Sequence, residues 1–139
     1  MNNICRLTVR GYELDSFGHV NNSVYLQYAE TAMWDCFSKH GLLSVMEEED
    51  IYPVIMESSQ RYMHELKLLE NVRIETEMHC SGGVLKYRHN VYSDDTGRLS
   101  CRITGKLVYV TRRDRMITDI PDRLVRAMEC DNNDNKKTK

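Results

Sequence analysis

The chain has 139 residues, enough to bury one core and too few for two. Hydrophobic residues make up 41% and charged residues 29%, a balance that excludes a generally disordered chain. With 19 basic against 21 acidic residues the formal charge is −2, so no global field draws nucleic acid or an anionic membrane.

Residues 4–10 alternate, with Cys5, Leu7 and Val9 against Arg6, Thr8 and Arg10. That is the period of a half-buried strand. A stretch bearing glycine and asparagine follows, from Gly11 to Asn22. The period then changes. Tyr25, Tyr28, Ala29, Ala32, Met33, Cys36, Phe37 and His40 recur at three- and four-residue steps, predicting one helix. Asn21 or Asn22 can cap its start, and Gly41 can end it with a left-handed step. Ala29 and Ala32 are small in mid-face, so a sheet can wrap the helix closely.

Residues 42–52 read as a mixed connection with an acidic run, Glu47 to Asp50. Four strand-like segments follow: Val54 to Leu66, long enough to bend, then Val72 to Met78, Leu85 to Val91 and Leu99 to Tyr109. Ser81-Gly82-Gly83 and Asp94 to Gly97 are hairpin turns. Pro121 opens a short helix with Ile120, Leu124, Val125 and Met128 on its apolar side. Cys130 to Lys139 is a polar tail, expected to be disordered. One long helix against five antiparallel strands, the last four meandering, makes an α+β two-layer domain, expected over residues 1–129.

No apolar run reaches the roughly 18 residues of a membrane span, and residues 1–12 lack the apolar stretch of a secretory signal. The five cysteines, at 5, 36, 80, 101 and 130, are irregularly spaced with no C-x-x-C pair. This argues against structural zinc and thioredoxin-type chemistry, and for a reduced, cytoplasmic protein.

The chemistry is concentrated in Tyr12-Glu13-Leu14-Asp15-Ser16-Phe17-Gly18-His19-Val20-Asn21-Asn22-Ser23-Val24-Tyr25-Leu26. This run puts an acid, a glycine, a histidine and two asparagines in the loop that enters the long helix. A helix start has unpaired N–H groups and partial positive charge, which would stabilise a carbonyl oxygen turning negative under attack. Asp15 precedes Asn22 by seven residues, so a folded loop can return it to the same point. A carboxylate there can activate water or attack directly.

The pattern D-x-x-G-H-V-N-N-x-x-Y-L over Asp15 to Leu26, with a helix opening at the asparagines, resembles hotdog-fold acyl-CoA thioesterases. Its form is that of the 4-hydroxybenzoyl-CoA thioesterase-like group carrying G-H-V-N-N. The resemblance covers about residues 4–129 and is most specific over 12–34. It implies a hotdog fold, a long helix wrapped by a five-stranded antiparallel sheet. It implies hydrolysis of an acyl thioester to a carboxylic acid and a thiol, with no metal or other cofactor. Asp15 matches the catalytic carboxylate, and Asn22 the helix-start position whose backbone N–H polarises the carbonyl. Gly18, His19, Asn21 and Tyr25 fall at substrate-binding positions. The implied substrate is an acyl-CoA or an acyl-carrier-protein thioester. The implied assembly is a homodimer, able to pair further into a homotetramer, with sites across the interface. One departure is Glu30-Thr31-Ala32-Met33, where the family often reads E-x-A-R.

Plainer readings compete at each position. Asp15 can cap a turn with its own backbone, and the Asn22 side chain can cap the helix. His19 can position its neighbours or move a proton. Glu30 lies eight residues past Asn22, about 12 Å along a helix, too far to share one reacting carbon within a subunit. His40, His64, His79 and His89 show no metal-ligand spacing. Arg112, Arg113 and Arg115 fit either the phosphates of coenzyme A, an acidic carrier protein, or a solvated cluster. Rival activities are a non-catalytic acyl-binding module and a hotdog dehydratase. The dehydratase relatives' H-x-x-x-x-x-x-x-P arrangement is missing from the helix-entry loop.

Overall fold

A computed structural model of the protein describes residues 1–128, so the tail expected from Cys130 onward lies outside them. The elements are β1 (Asn2–Thr8), a 3-10 turn (Gly11–Glu13), α1 (Val24–Lys39), α2 (Leu42–Glu48), β2 (Ile51–Tyr62), β3 (Asn71–Ser81), β4 (Val84–Ser93), β5 (Leu99–Thr111) and β6 (Ile117–Thr118). Residues 122–128 are helical as well. All strands belong to one antiparallel sheet in the order β1-β3-β4-β5-β2, with the short β6 on β5. The long helix lies against this sheet, which is the hotdog arrangement.

The apolar stripe explains why α1 sits there. Tyr25, Tyr28, Ala29, Ala32, Met33, Cys36 and Phe37 are all buried. They share one core with Ile74, Met78, Leu85, Val91, Ile103 and Leu107 of the sheet. Each large side chain so buried contributes roughly 1.5–3 kcal/mol. Ala32 is fully covered, so its small size sets how closely the sheet approaches. Gly41, at φ 69°, makes the left-handed step that ends the helix.

Four expectations change. First, β1 starts two residues earlier than 4 and stops at Thr8. Second, residues 42–48 form α2, anchored by Leu42, Val45 and Met46 at one-turn spacing; the acidic run beside them hid so short a stripe. Third, β2 begins at Ile51 and ends at Tyr62, and its bend is a bulge between Ile55 and Glu57. Fourth, only β3, β4 and β5 meander. β2 pairs with β5 at the far edge, because residues 63–70 carry the chain across the sheet to β3.

The inner sheet face carries a tight crossing and a buried polar pair. Gly105 on β5 has no room for a side chain: a Cβ would lie 2.3 Å from both the Glu57 carbonyl oxygen and the Tyr87 hydroxyl. Beside it, His89 and Thr76 are hydrogen-bonded out of solvent, Thr76 Oγ1 lying 2.7 Å from His89 Nδ1.

Candidate active site

The loop between β1 and α1 is closed by its own hydrogen bonds. Leu14 and Val20 form an antiparallel bridge. Inside it the Asp15 N–H donates to the His19 carbonyl at 2.7 Å, and the Gly18 N–H donates to the Asp15 carbonyl at 3.1 Å. Asp15 Oδ1 accepts from the N–H groups of Phe17 (2.9 Å) and His19 (3.1 Å). These bonds use one carboxylate oxygen; Oδ2 has no described partner. Gly18 sits at φ +80°, a conformation that glycine adopts without strain.

Glu13 locks the loop to α1. It is 2% exposed. Its Oε1 accepts from the Arg10 N–H (2.7 Å) and the Tyr28 hydroxyl (2.8 Å), while Oε2 meets the Arg10 guanidinium at 2.5 Å. Burial works against the charge, but the bonds from Arg10 and Tyr28 outweigh it and hold the carboxyl below its usual range. The Glu13 carbonyl also accepts the Asn21 N–H at 2.9 Å.

The helix start resolves the two asparagines. Asn21 Oδ1 accepts from the N–H and hydroxyl of Ser23, both at 3.1 Å, and the Asn21 carbonyl accepts from the Val24 N–H. Ser23 already has helical angles, φ −67° and ψ −25°. Asn21 therefore closes the turn that leads into α1, Ser23 stands at the cap position, and Asn22 lies between them, just before the first helical residue, Val24.

A cleft of about 260 Å³ opens at this point. Asp15, His19, Asn22 and Tyr25 all line it, whereas Gly18 and Asn21 do not; those two shape the loop instead. Tyr25 contributes its ring, since its hydroxyl is turned inward to Ser100 Oγ at 3.0 Å. His19 Nε2 lies 3.0 Å from Glu65 Oε2. The opposite wall comes from the end of β2 and the following turn, which sequence reading did not pick out: Tyr62, Met63, His64 and Glu65. Tyr62 donates its hydroxyl to the Asn22 carbonyl at 3.2 Å and packs edge-on against Tyr25. A carboxylate and the backbone just before a helix start, lining one cleft, can activate water and polarise a carbonyl together.

Other candidates lie elsewhere. Arg112, Arg113 and Arg115 follow the end of β5 remote from the cleft, and Ser100 marks the near end, roughly 35 Å away along the strand. Within one chain they do not reach it. Burial pushes the Cys101 thiol up to about 11, which removes it as a thiolate nucleophile at neutral pH. Among the described residues no group of three His, Cys, Asp or Glu side chains is placed to hold a metal ion.

Comparison with known proteins bears on the fold and the family. Over 78 residues the chain is 30% identical to the long-chain acyl-CoA thioesterase FadM of Escherichia coli strain K12, covering 56% of this chain and 59% of FadM. The chain spans little more than half the length of the curated relatives it matches. The DHNA-CoA thioesterase of Staphylococcus aureus superposes with a TM-score of 0.86 at 18% identity, covering 99% of this chain and 95% of that one. The PA2801 protein of Pseudomonas aeruginosa superposes with a TM-score of 0.79 at 27% identity, covering 90% and 96%. Residues 9–128 match the family described as the thioesterase-like superfamily, and the chain belongs to it.

Proposed function

We propose that this protein is an acyl-CoA thioesterase of the 4-hydroxybenzoyl-CoA thioesterase-like branch, with residues 1–129 acting as one catalytic domain. The observation that carries the reading is the meeting of Asp15 and Asn22 in one cleft at the start of α1. The thioester carbonyl oxygen points at the Asn22 N–H, where the helix dipole favours negative charge. Asp15 either takes a proton from the attacking water or attacks the carbonyl itself, and both routes start from the carboxylate. In the first route water's oxygen bonds to the carbonyl carbon, the carbon–sulfur bond breaks, and Asp15 passes water's proton to the thiolate. In the second, Asp15 displaces the thiolate to form a mixed anhydride that water then splits, restoring the carboxylate and supplying the thiolate's proton. Both routes release an acid and a thiol. FadM, named as acting on long-chain acyl-CoA, favours coenzyme A as the carrier. An acyl-carrier-protein thioester is the nearer alternative. The buried Cys5, Cys36 and Cys101, and the lack among the described residues of a helix able to cross a membrane, accord with a cytoplasmic setting.

Free-thiol release from a panel of acyl-CoAs and acyl carriers tests this. One thiol and one acid per turnover are expected. A binding module releases neither, and a dehydratase leaves the thioester intact; either result rejects the reading.

The assembly belongs to the same proposal. β2 is an edge strand that exposes Val54, Ile55 and Met56, the last 56% exposed. An apolar edge of this kind invites a second copy to extend the sheet. A homodimer, able to pair further, is expected by sedimentation. Met56→Lys should shift it to monomer and lower activity at dilute concentration; an unshifted variant would remove β2 from the interface.

A further inference from the structure

A second compartment, of about 330 Å³, opens on the same side of α1, between the helix and strands β2 and β4. Leu26, Ala29, Met33 and Ile55 make it mainly apolar, and Tyr87 and His89 face into it from β4. Its volume is at the lower end for small-molecule pockets. His89 is 1% exposed and its ring packs 5.1 Å from that of Tyr87. Nδ1 is occupied by Thr76, whereas Nε2 has no partner among the described residues and is not sealed from the compartment. Burial lowers the imidazole pKa to about 4, so the ring is neutral at physiological pH.

Two rulers relate this space to the cleft. Ala29 is seven residues beyond Asn22, roughly 10 Å along the helix, about the span of an extended eight-carbon chain. In the sheet, Tyr62 of the cleft wall pairs with Cys101, and His89 pairs with Ile103 two residues on, roughly 7 Å along β5. On these spans an eight-carbon acyl group whose thioester sits at Asn22 has the length to bring its far end to His89. A fully apolar end would cover Nε2 and leave it unbonded, which costs free energy; a hydroxyl would restore the bond, since it both donates and accepts. Glu30, at the rim, opposes a carboxylate-ended chain by like charge.

We infer that this compartment receives the far end of the acyl group, and that His89 is a specificity-determining residue that binds a hydroxyl there. The inference rests on the acyl-thioesterase reading above. The test compares kcat/KM for 8-hydroxyoctanoyl-CoA and octanoyl-CoA. Wild-type protein is expected to favour the hydroxylated substrate about tenfold. The Thr76→Val/His89→Phe double variant removes both polar partners together, so it leaves no orphan. It should reverse the preference while butanoyl-CoA, too short to reach, is hydrolysed as before. His89→Gln should keep part of the preference. An equal ratio in wild type and double variant overturns the role of His89 and leaves thioesterase activity standing. Failure to hydrolyse any of the three thioesters overturns both. Should the variants not fold, the His89 Nε2 resonance of wild-type protein decides. It is expected to shift with 8-hydroxyoctanoate and not with octanoate, and equal responses overturn the inference.

Discussion

Asp15→Asn should lower kcat for thioester hydrolysis by about 10³-fold while leaving the fold intact. The amide keeps an oxygen where Oδ1 now accepts the N–H groups of Phe17 and His19, so the turn closes as before. What is lost is the negative charge of a side chain that lines the cleft. Urea unfolding should therefore move by no more than about 1 kcal/mol, the scale of a single weakened hydrogen bond. Asp15→Ala removes the turn bonds as well, and should cost both activity and stability. The contrast separates chemistry from architecture, because a carboxylate that merely shaped the loop would tolerate the isosteric change. Hydrolysis by the asparagine variant at the wild-type rate, across several acyl groups, would end the catalytic assignment.

Gly105→Ala should be among the most destabilising changes available, at roughly 3 kcal/mol. The reason is proximity and not backbone angle. A methyl group would stand 2.3 Å from the Glu57 carbonyl oxygen of β2 and from the Tyr87 hydroxyl of β4. One contact is main chain, so β2 must move, and with it the edge proposed to meet a second copy. The other displaces Tyr87, whose hydroxyl donates to the same carbonyl at 3.4 Å and whose ring walls the compartment beside α1. Denaturant titration gives the number. A midpoint equivalent to less than about 0.5 kcal/mol of change would mean that the strands yield freely there.

Local pattern carried much of this structure. α1 was legible because its buried stripe continues from Tyr25 to Phe37, and the β3–β4 hairpin because glycine takes without strain the positive φ that a tight turn requires, as Gly82 does at 65°. Strand partnership was not legible. β2 and β5 are separated by two whole strands, and nothing in an alternating pattern names the neighbour. The same distinction divides the cleft. Asp15, His19, Asn22 and Tyr25 come from one contiguous run, so their grouping could be read directly. Tyr62 and His64 arrive from some forty residues away, through a sheet crossing that no local periodicity encodes. Glu13 and Asp15, two residues apart, look alike as letters. Burial makes one a tie to Arg10 and Tyr28 and leaves the other at the cleft.

The bonding of the entry loop has a bearing on turnover. Backbone and side-chain groups of Glu13, Asp15, Gly18 and Asn21 are engaged with one another or with α1 through bonds internal to the chain. The ordering entropy of this segment is thus met once, when the polypeptide collapses, and does not recur at each encounter with substrate.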